Sequence, residues 1–147
     1  MSDAIAGGLI GATAALVGAF GVQMLIGRQA ATRRRRELAA QFLASLDIVY
    51  FHTSHARRAT TQDEVVARVI GALNAQDRMT SLGNELAFMC DRDIATDIRQ
   101  SIDKLIALVA SADRNITSND DWDKAAEGYV ELIVELADTL HDEFGRS

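Results

Sequence analysis

Three histidines and one cysteine are the side chains whose types and spacing could do chemistry. His52 and His55 stand three positions apart, and Asp47 lies just over one turn earlier, so the three could supply ligands to a metal ion. A zinc or di-iron centre in a helical bundle needs three or four inward ligands, typically with a Glu three residues before a His on two helices. No ExxH pair occurs here, and the sequence therefore predicts no metal site.

The single cysteine, Cys90, follows the apolar residues 86–89. A catalytic thiolate needs a base beside it, and the sequence places none there, so a packed, reduced thiol is predicted. His141 adjoins Asp142, also without a nucleophile in its segment. Phosphate loops, GxSxG elbows and HExxH motifs do not occur. We therefore expect no catalytic residue, no cofactor and no small-molecule substrate, and we expect the protein not to be an enzyme.

The composition favours helices. The chain has 147 residues, no proline and ten glycines, and it lacks turn signals at the spacing of a β-sandwich or barrel. One cysteine forms neither a disulfide framework nor a thiolate zinc cage. These features predict an all-α protein in which an N-terminal segment of different character precedes one ordinary domain.

Residues 4–27 form an apolar run of twenty-four positions without a charge. At about 1.5 Å per residue this helix is about 36 Å long, against about 30 Å of hydrocarbon in a bilayer. Asp3 precedes the run and arginines follow it, which is the reverse of the charge order in a cleaved signal peptide. We therefore expect residues 1–27 to be an uncleaved transmembrane anchor, with the N-terminus outside and residues 28–147 in the cytoplasm.

Five arginines follow the predicted anchor. They are Arg28, Arg33, Arg34, Arg35 and Arg36. Four consecutive helical residues point around the whole helix, which favours a topology signal and lipid contact over a nucleic-acid groove. At the headgroups each arginine could add about 1 kcal/mol of attraction to anionic lipid. Residues 37–147 hold twenty acids and would repel phosphates. Membrane lipids are thus predicted partners, and nucleic acid is not.

One side of the predicted anchor carries small residues at a three-four spacing. Its glycines are Gly7, Gly11, Gly18 and Gly21, and the first two make a GxxxG. Small residues let membrane helices approach closely, so this side predicts a homo-oligomer or docking on a partner membrane protein. A chain rich in Gly and Ala produces the same spacing without any contact, and the sequence leaves both explanations open.

Residues 28–147 carry four apolar stripes at helical spacing. The stripes predict helices at about 28–53, 62–89, 92–111 and 119–144. Thr61 is the predicted cap of the second helix, Asp91 or Asp93 that of the third, and Ser118 with Asp121 that of the fourth. The expected core positions of the second helix, which should bend at Gly83, are Val65, Val66, Val69, Ile70, Leu73, Met79, Leu82 and Leu86. Short loops and single stripes predict an antiparallel four-helix bundle, and the transmembrane helix is expected to continue into its first helix.

The predicted last helix has an acidic side opposite its apolar stripe. The acids on which a partner could dock are Glu127, Glu131, Glu135 and Asp138. A solvated face that keeps the domain soluble beside a negatively charged membrane explains them. A docking surface for a basic partner explains them too, and both hypotheses stay open.

Four segments of the chain carry a likeness to other proteins. They are GGLIGATAALVGAFG at 7–21, RRRRELAAQFLASLD at 33–47, LAFMCDRDI at 86–94 and LADTLHDEFG at 136–145. Together they resemble a loose class of small bacterial and prophage-encoded single-pass membrane proteins. The resemblance implies a Gly/Ala-rich anchor, an Arg-rich juncture and a cytoplasmic helical bundle at the bacterial inner (plasma) membrane. It supplies no active-site residue.

Two functions fit these features. The first is a single-pass membrane-anchored cytoplasmic interaction module without catalytic activity, which binds through the surfaces of its bundle. The alternative is an oligomerising membrane-perturbing effector of the phage-exclusion or holin kind, which would assemble through the small-residue side of the anchor. Depolarisation of cells that requires residues 1–36 indicates the effector, whereas a partner recovered with residues 37–147 alone indicates the module.

Overall fold

The computed structural model describes the backbone of residues 3–112 and 117–145, and the side chains of residues 29–112 and 117–144. Its four helices are α1 (Asp3–Arg58), α2 (Gln62–Phe88), α3 (Arg92–Ala110) and α4 (Asn119–Gly145). The described backbone contains no strand, so the predicted all-α class is confirmed. The chain divides into two units, residues 1–34 and residues 35–147, and each is described by itself.

The loop between the first two helices is shorter than predicted. We expected it to begin near residue 53, but α1 continues to Arg58 and α2 begins at Gln62. No residue in this stretch breaks a helix, and the Thr53 hydroxyl donates to the carbonyl of Val49 at 2.7 Å, inside the helix. Thr53 and Ala56 are buried, so the last turns of α1 are held by packing on the bundle.

Capping residues start two of the helices as predicted. The backbone N–H of Glu64 donates to the Thr61 hydroxyl at 3.3 Å, which starts α2. The N–H of Asp121 donates to the Ser118 hydroxyl at 3.2 Å, and that hydroxyl donates to the Asp121 carboxylate at 2.6 Å. The third start differs from the prediction: α3 begins after Asp91 as expected, but the Asp91 side chain makes no capping hydrogen bond. Two of the three starts are thus encoded locally by side chains that accept otherwise unpaired N–H groups.

Among the described residues from Arg35 onward, one apolar core forms, and all four helices contribute to it. Its largest fully buried apolar side chains are Phe42, Leu46, Val49, Met79, Leu86, Ile98, Leu105 and Leu136. Tyr50 of α1 packs against Tyr129 of α4 with ring centroids 5.3 Å apart. Nearer the start of this unit, the Arg36 Nε donates to the carbonyl of Phe144. Helices α1 and α4 therefore run antiparallel.

Gly83 is a packing position and not the bend that the sequence suggested. Helix α2 is unbroken from Gln62 to Phe88. A Cβ at Gly83 would lie 2.5 Å from the Ile102 Cδ1 and 2.8 Å from the Phe42 Cε2. The missing side chain therefore lets α2 lie close to both α1 and α3.

The first half of α2 buries a different side from the predicted one. Val66, Ile70 and Leu73 are each about half exposed. The buried residues of the helix are Ala72, Met79, Gly83, Leu86 and Ala87. Residues 65–75 are apolar around most of the helix, so their spacing allows two stripes. The bundle buries the stripe that continues into the second half of the helix, and the predicted core positions 66, 70 and 73 are wrong for that reason.

The predicted anchor, residues 4–27, lies outside the residues whose side chains the structure describes. Gly7, Gly11, Gly18, Gly21 and Arg28 lie outside them as well. Within the described part of the chain, none of the helices offers a stretch that is both long and apolar enough to cross a bilayer. The anchor and its small-residue side therefore stay predictions.

Candidate interaction surfaces

The histidines singled out by their spacing contact backbone and aromatic groups. His52 faces the backbone of Gly71, where an added Cβ would lie 2.8 Å from the imidazole. The His55 Nδ1 is 2.9 Å from the carbonyl oxygen of Phe51. The His55 and Phe51 rings also pack together, with their centroids 4.0 Å apart. Among the residues described, no group of three or more His, Cys, Asp or Glu side chains is placed to hold a metal ion.

Cys90 is half-buried in the turn between α2 and α3, where it packs against the core. Burial raises the pKa of its thiol, the Glu143 carboxylate raises it further, and Arg35 lowers it. The net direction is upward, which disfavours the thiolate that a nucleophile needs. The surroundings of Cys90 therefore suit a packed, reduced thiol.

The arginine run has a structural role that the sequence did not suggest. Arg33, Arg34, Arg35 and Arg36 are all exposed on α1. The Arg36 guanidinium also donates to the carbonyl of Phe144, in the last turn of α4. A cation at that place satisfies a free carbonyl and opposes the negative end of the helix dipole. Arg36 thus joins α1 to α4, independently of any contact that Arg33, Arg34 or Arg35 makes.

A buried arginine joins the other end of the bundle. The Arg57 guanidinium donates to the carbonyl of Thr117 at 2.7 Å and to the Asn119 Oδ1 at 2.9 Å. Its central carbon lies 5.9 Å from the centre of the Trp122 ring. Arg57 fell in the predicted loop, and its partners belong to the start of α4, sixty residues later. No local spacing could have identified this contact.

A small groove lies between the outer sides of α1 and α2. It has a volume of about 160 Å³ and is lined by Gln41, Ala44, Ser45, Ile48, Ala75 and Arg78. Next to Ile48 on α1, Phe51 is also half exposed. The Arg68 guanidinium lies over the Phe51 ring, 5.7 Å from its centre. We call this surface, with Ile48, Phe51, Arg68 and Arg78, the α1–α2 groove.

A larger groove lies where the start of α2 adjoins the end of α3. Its volume is about 600 Å³, and its apolar walls include Val65, Val66, Val69, Ile70 and Val109. Val66 and Ile70 also belong to the half-exposed outer stripe of α2. The walls thus contain the α2 residues that the sequence assigned to the core.

The acids predicted as a partner surface are all exposed on α4. They are Glu127, Glu131, Glu135 and Asp138. Two exposed valines that the sequence analysis did not single out, Val130 and Val134, lie among them, and Val134 is 56% exposed. We call these six residues the acidic ridge. Apolar side chains among the acids distinguish the ridge from a purely solvated face.

Comparison of the chain with models of protein families, with curated protein sequences and with solved structures finds no match.

Proposed function

We propose that this protein is a single-pass membrane-anchored interaction module without catalytic activity. Residues 4–27 would hold it in the bacterial inner membrane, with the N-terminus outside. The arginines at positions 28 and 33–36 would lie at the cytosolic headgroups, because moving them across the bilayer is costly. The helical bundle would bind its partner in the cytoplasm.

The observation that carries this proposal is the pattern of apolar side chains on the outside of the bundle. Exposed large apolar residues occur on α1 (Ile48, Phe51), along the outer stripe of α2, and in the acidic ridge of α4 (Val130, Val134). Single exposed apolar residues are ordinary, but groups of them beside a groove mark interaction sites on soluble domains. In the bundle they stand out against an acidic surface, and protein–protein contact is the function they favour.

The anchor is tested by membrane extraction of the full chain. We expect the protein to float with vesicles and to resist alkaline extraction, leaving the membrane only in detergent. In the matched control, Leu9→Arg with Leu16→Arg, each arginine costs about 2.5–3.5 kcal/mol in the middle of a bilayer, so extraction should release the chain. A wild-type chain that stays in the supernatant as a monomer would contradict the anchor.

The membrane potential of cells that express the full chain distinguishes the module from the alternative membrane-perturbing effector. A module leaves the membrane potential unchanged when it is expressed. Depolarisation that depends on residues 1–36 would contradict the module and support an oligomerising effector. Replacing Gly11 and Gly18 with Leu tests the small-residue side directly, because larger side chains prevent close approach of membrane helices. If these changes leave self-association in membranes as it was, the glycines do not form a contact.

A further inference from the structure

We infer that the acidic ridge of one copy docks into the α1–α2 groove of the next copy. The inference rests on the proposed function, because anchoring in a shared membrane would bring many copies of the bundle close together. The occupant of the groove is thus a second copy of this chain. In this contact the arginines of the α1–α2 groove are the basic partner of the acidic ridge.

The two surfaces are complementary in charge and in polarity. The ridge presents Val130 and Val134 among four carboxylates, and the groove presents apolar side chains between Arg68 and Arg78. Asp47 of α1 raises the pKa of Tyr129, so it lies within electrostatic range of α4. Asp77, which is exposed, precedes Arg78 on α2. In a bundle with net negative charge, the groove is a place where another acidic surface approaches with attraction.

The apolar residues of the two surfaces lie at the same level along the bundle axis. Val130 directly follows Tyr129, which packs against Tyr50. Because α1 and α4 are antiparallel, Val130 lies at a level between Ile48 and Phe51. Docking of two copies side by side at the same level therefore brings the ridge valine to the apolar part of the groove.

Arg78 lies at the level of two of the ridge acids. Gly71 faces His52, and α2 runs antiparallel to α1. Arg78 is two turns beyond Gly71, which brings it to the level at which Glu131 and Glu135 lie on α4. Equal height of two copies thus places a cation of one between two carboxylates of the other.

Arg68 also lies at the level of acids on α4, nearer the other end of the bundle. It lies three residues before Gly71 on α2, at the level of Asp123 and Glu127 on α4. Both acids are exposed. The two arginines of the groove therefore match these acids in register, with Val130 at a level between them.

The contact is heterologous, because the ridge and the groove are different surfaces on different helices. Each docked copy keeps one free ridge or one free groove, so copies form rows or rings in the plane of the membrane. One helix in a shallow groove covers less than the roughly 800 Å² per partner of a stable complex. The effective concentration within the bilayer therefore has to support the association.

Disulfide crosslinking of the full chain in membranes tests the inference. In a Cys90→Ser background, one population carries Ile48→Cys and the other carries Val130→Cys. After isolated membranes are treated with an added thiol oxidant, we expect disulfide-linked dimers when the two populations are co-expressed and none when either is expressed alone, because a disulfide needs Cα atoms about 4.4–6.8 Å apart. The matched control Ala107→Cys, at an exposed position of α3, should not crosslink with either.

Charge reversal tests the register. Arg78→Glu or Glu131→Arg alone should lower the yield of mixed dimers by roughly two- to fivefold, as expected for an exposed ion pair, and the two together should restore it. Lys104→Glu reverses an exposed cation on α3 and should leave the yield unchanged. Circular dichroism of each variant checks that the helices are retained.

Each failure has its own signature. Val130→Cys that crosslinks efficiently with itself would show a symmetric contact and overturn the inference. A chain that floats with vesicles but forms no mixed dimers overturns the inference and leaves the proposed function standing. A chain that does not float overturns the membrane part of the proposed function, and flotation of the same samples reports this independently of the crosslinks.

Discussion

Helices α2 and α3 are neighbours in the bundle, and both were predicted from apolar spacing, yet they use that spacing differently. Helix α3 buries Ile98, Ile102, Leu105 and Leu108 on one side, and none of its large apolar side chains is exposed. Helix α2 buries Met79 and Leu86 but leaves three large apolar residues of its first half exposed. Apolar spacing thus predicts the buried side only where a helix has a single stripe.

The largest expected difference in stability is between alanine substitutions of two leucines, one on α3 and one on α2. Leu105 of α3 is 0% exposed, whereas Leu73 of α2 is 50% exposed. Leu105→Ala should lower the free energy of unfolding by about 2–5 kcal/mol, because it leaves a cavity in the core. Leu73→Ala should change it by about 0.5 kcal/mol or less. Denaturant unfolding followed by circular dichroism measures both, and equal losses would contradict the assignment of the α2 stripe to the outside.

Gly83 tests the buried side of α2. Gly83→Ala should destabilise the bundle by about 1–3 kcal/mol, because the new Cβ meets the Phe42 ring, which cannot turn aside as a flexible chain end can. The measurement is the shift of the denaturant midpoint at constant slope. Stabilisation by Gly83→Ala would show that α2 and α1 are not in close contact here.

The pH dependence of stability tests whether Tyr129 lies on the buried side of α4. It is 3% exposed, and burial first, then Asp47 and Tyr50, raise the pKa of its hydroxyl. The folded state therefore keeps this proton when the unfolded chain loses it, above a pH of about 10. Stability should be intact below that pH and should fall above it, by at most about 1.4 kcal/mol per pH unit from this group. Tyr129→Phe should reduce the loss measured between pH 9 and pH 11, and an identical loss would contradict burial of the hydroxyl.

Gly128 should give the smallest effect and the opposite sign to Gly83. A Cβ added at Gly128 on α4 meets nothing within 4 Å. Gly128→Ala should therefore stabilise the bundle by about 0.5–1 kcal/mol through helix propensity alone. Thermal unfolding measures the change. A loss of stability would indicate a contact on this part of α4.

Prediction from sequence succeeded for two of the three local capping signals. The caps at Thr61 and Ser118 depend on side chains within three residues of the N–H groups they accept, and both form. It failed where the signal needs a distant partner. Arg57 lay in a predicted loop, since its carbonyl and amide partners come sixty residues later. The α1–α2 groove was missed as well, because its residues belong to two helices whose register no single stretch of sequence reveals.

The sequence by itself determined the helical class, the number of helices, two of their caps and the distribution of charge, since each depends on residue type and on spacing within a few turns. Tertiary structure alone decided which stripe of α2 is buried, why Gly83 has no side chain, and which surface residues share a level across α1, α2 and α4. Those features arise from close packing between helices, in which the space left by one element selects the side chains of another.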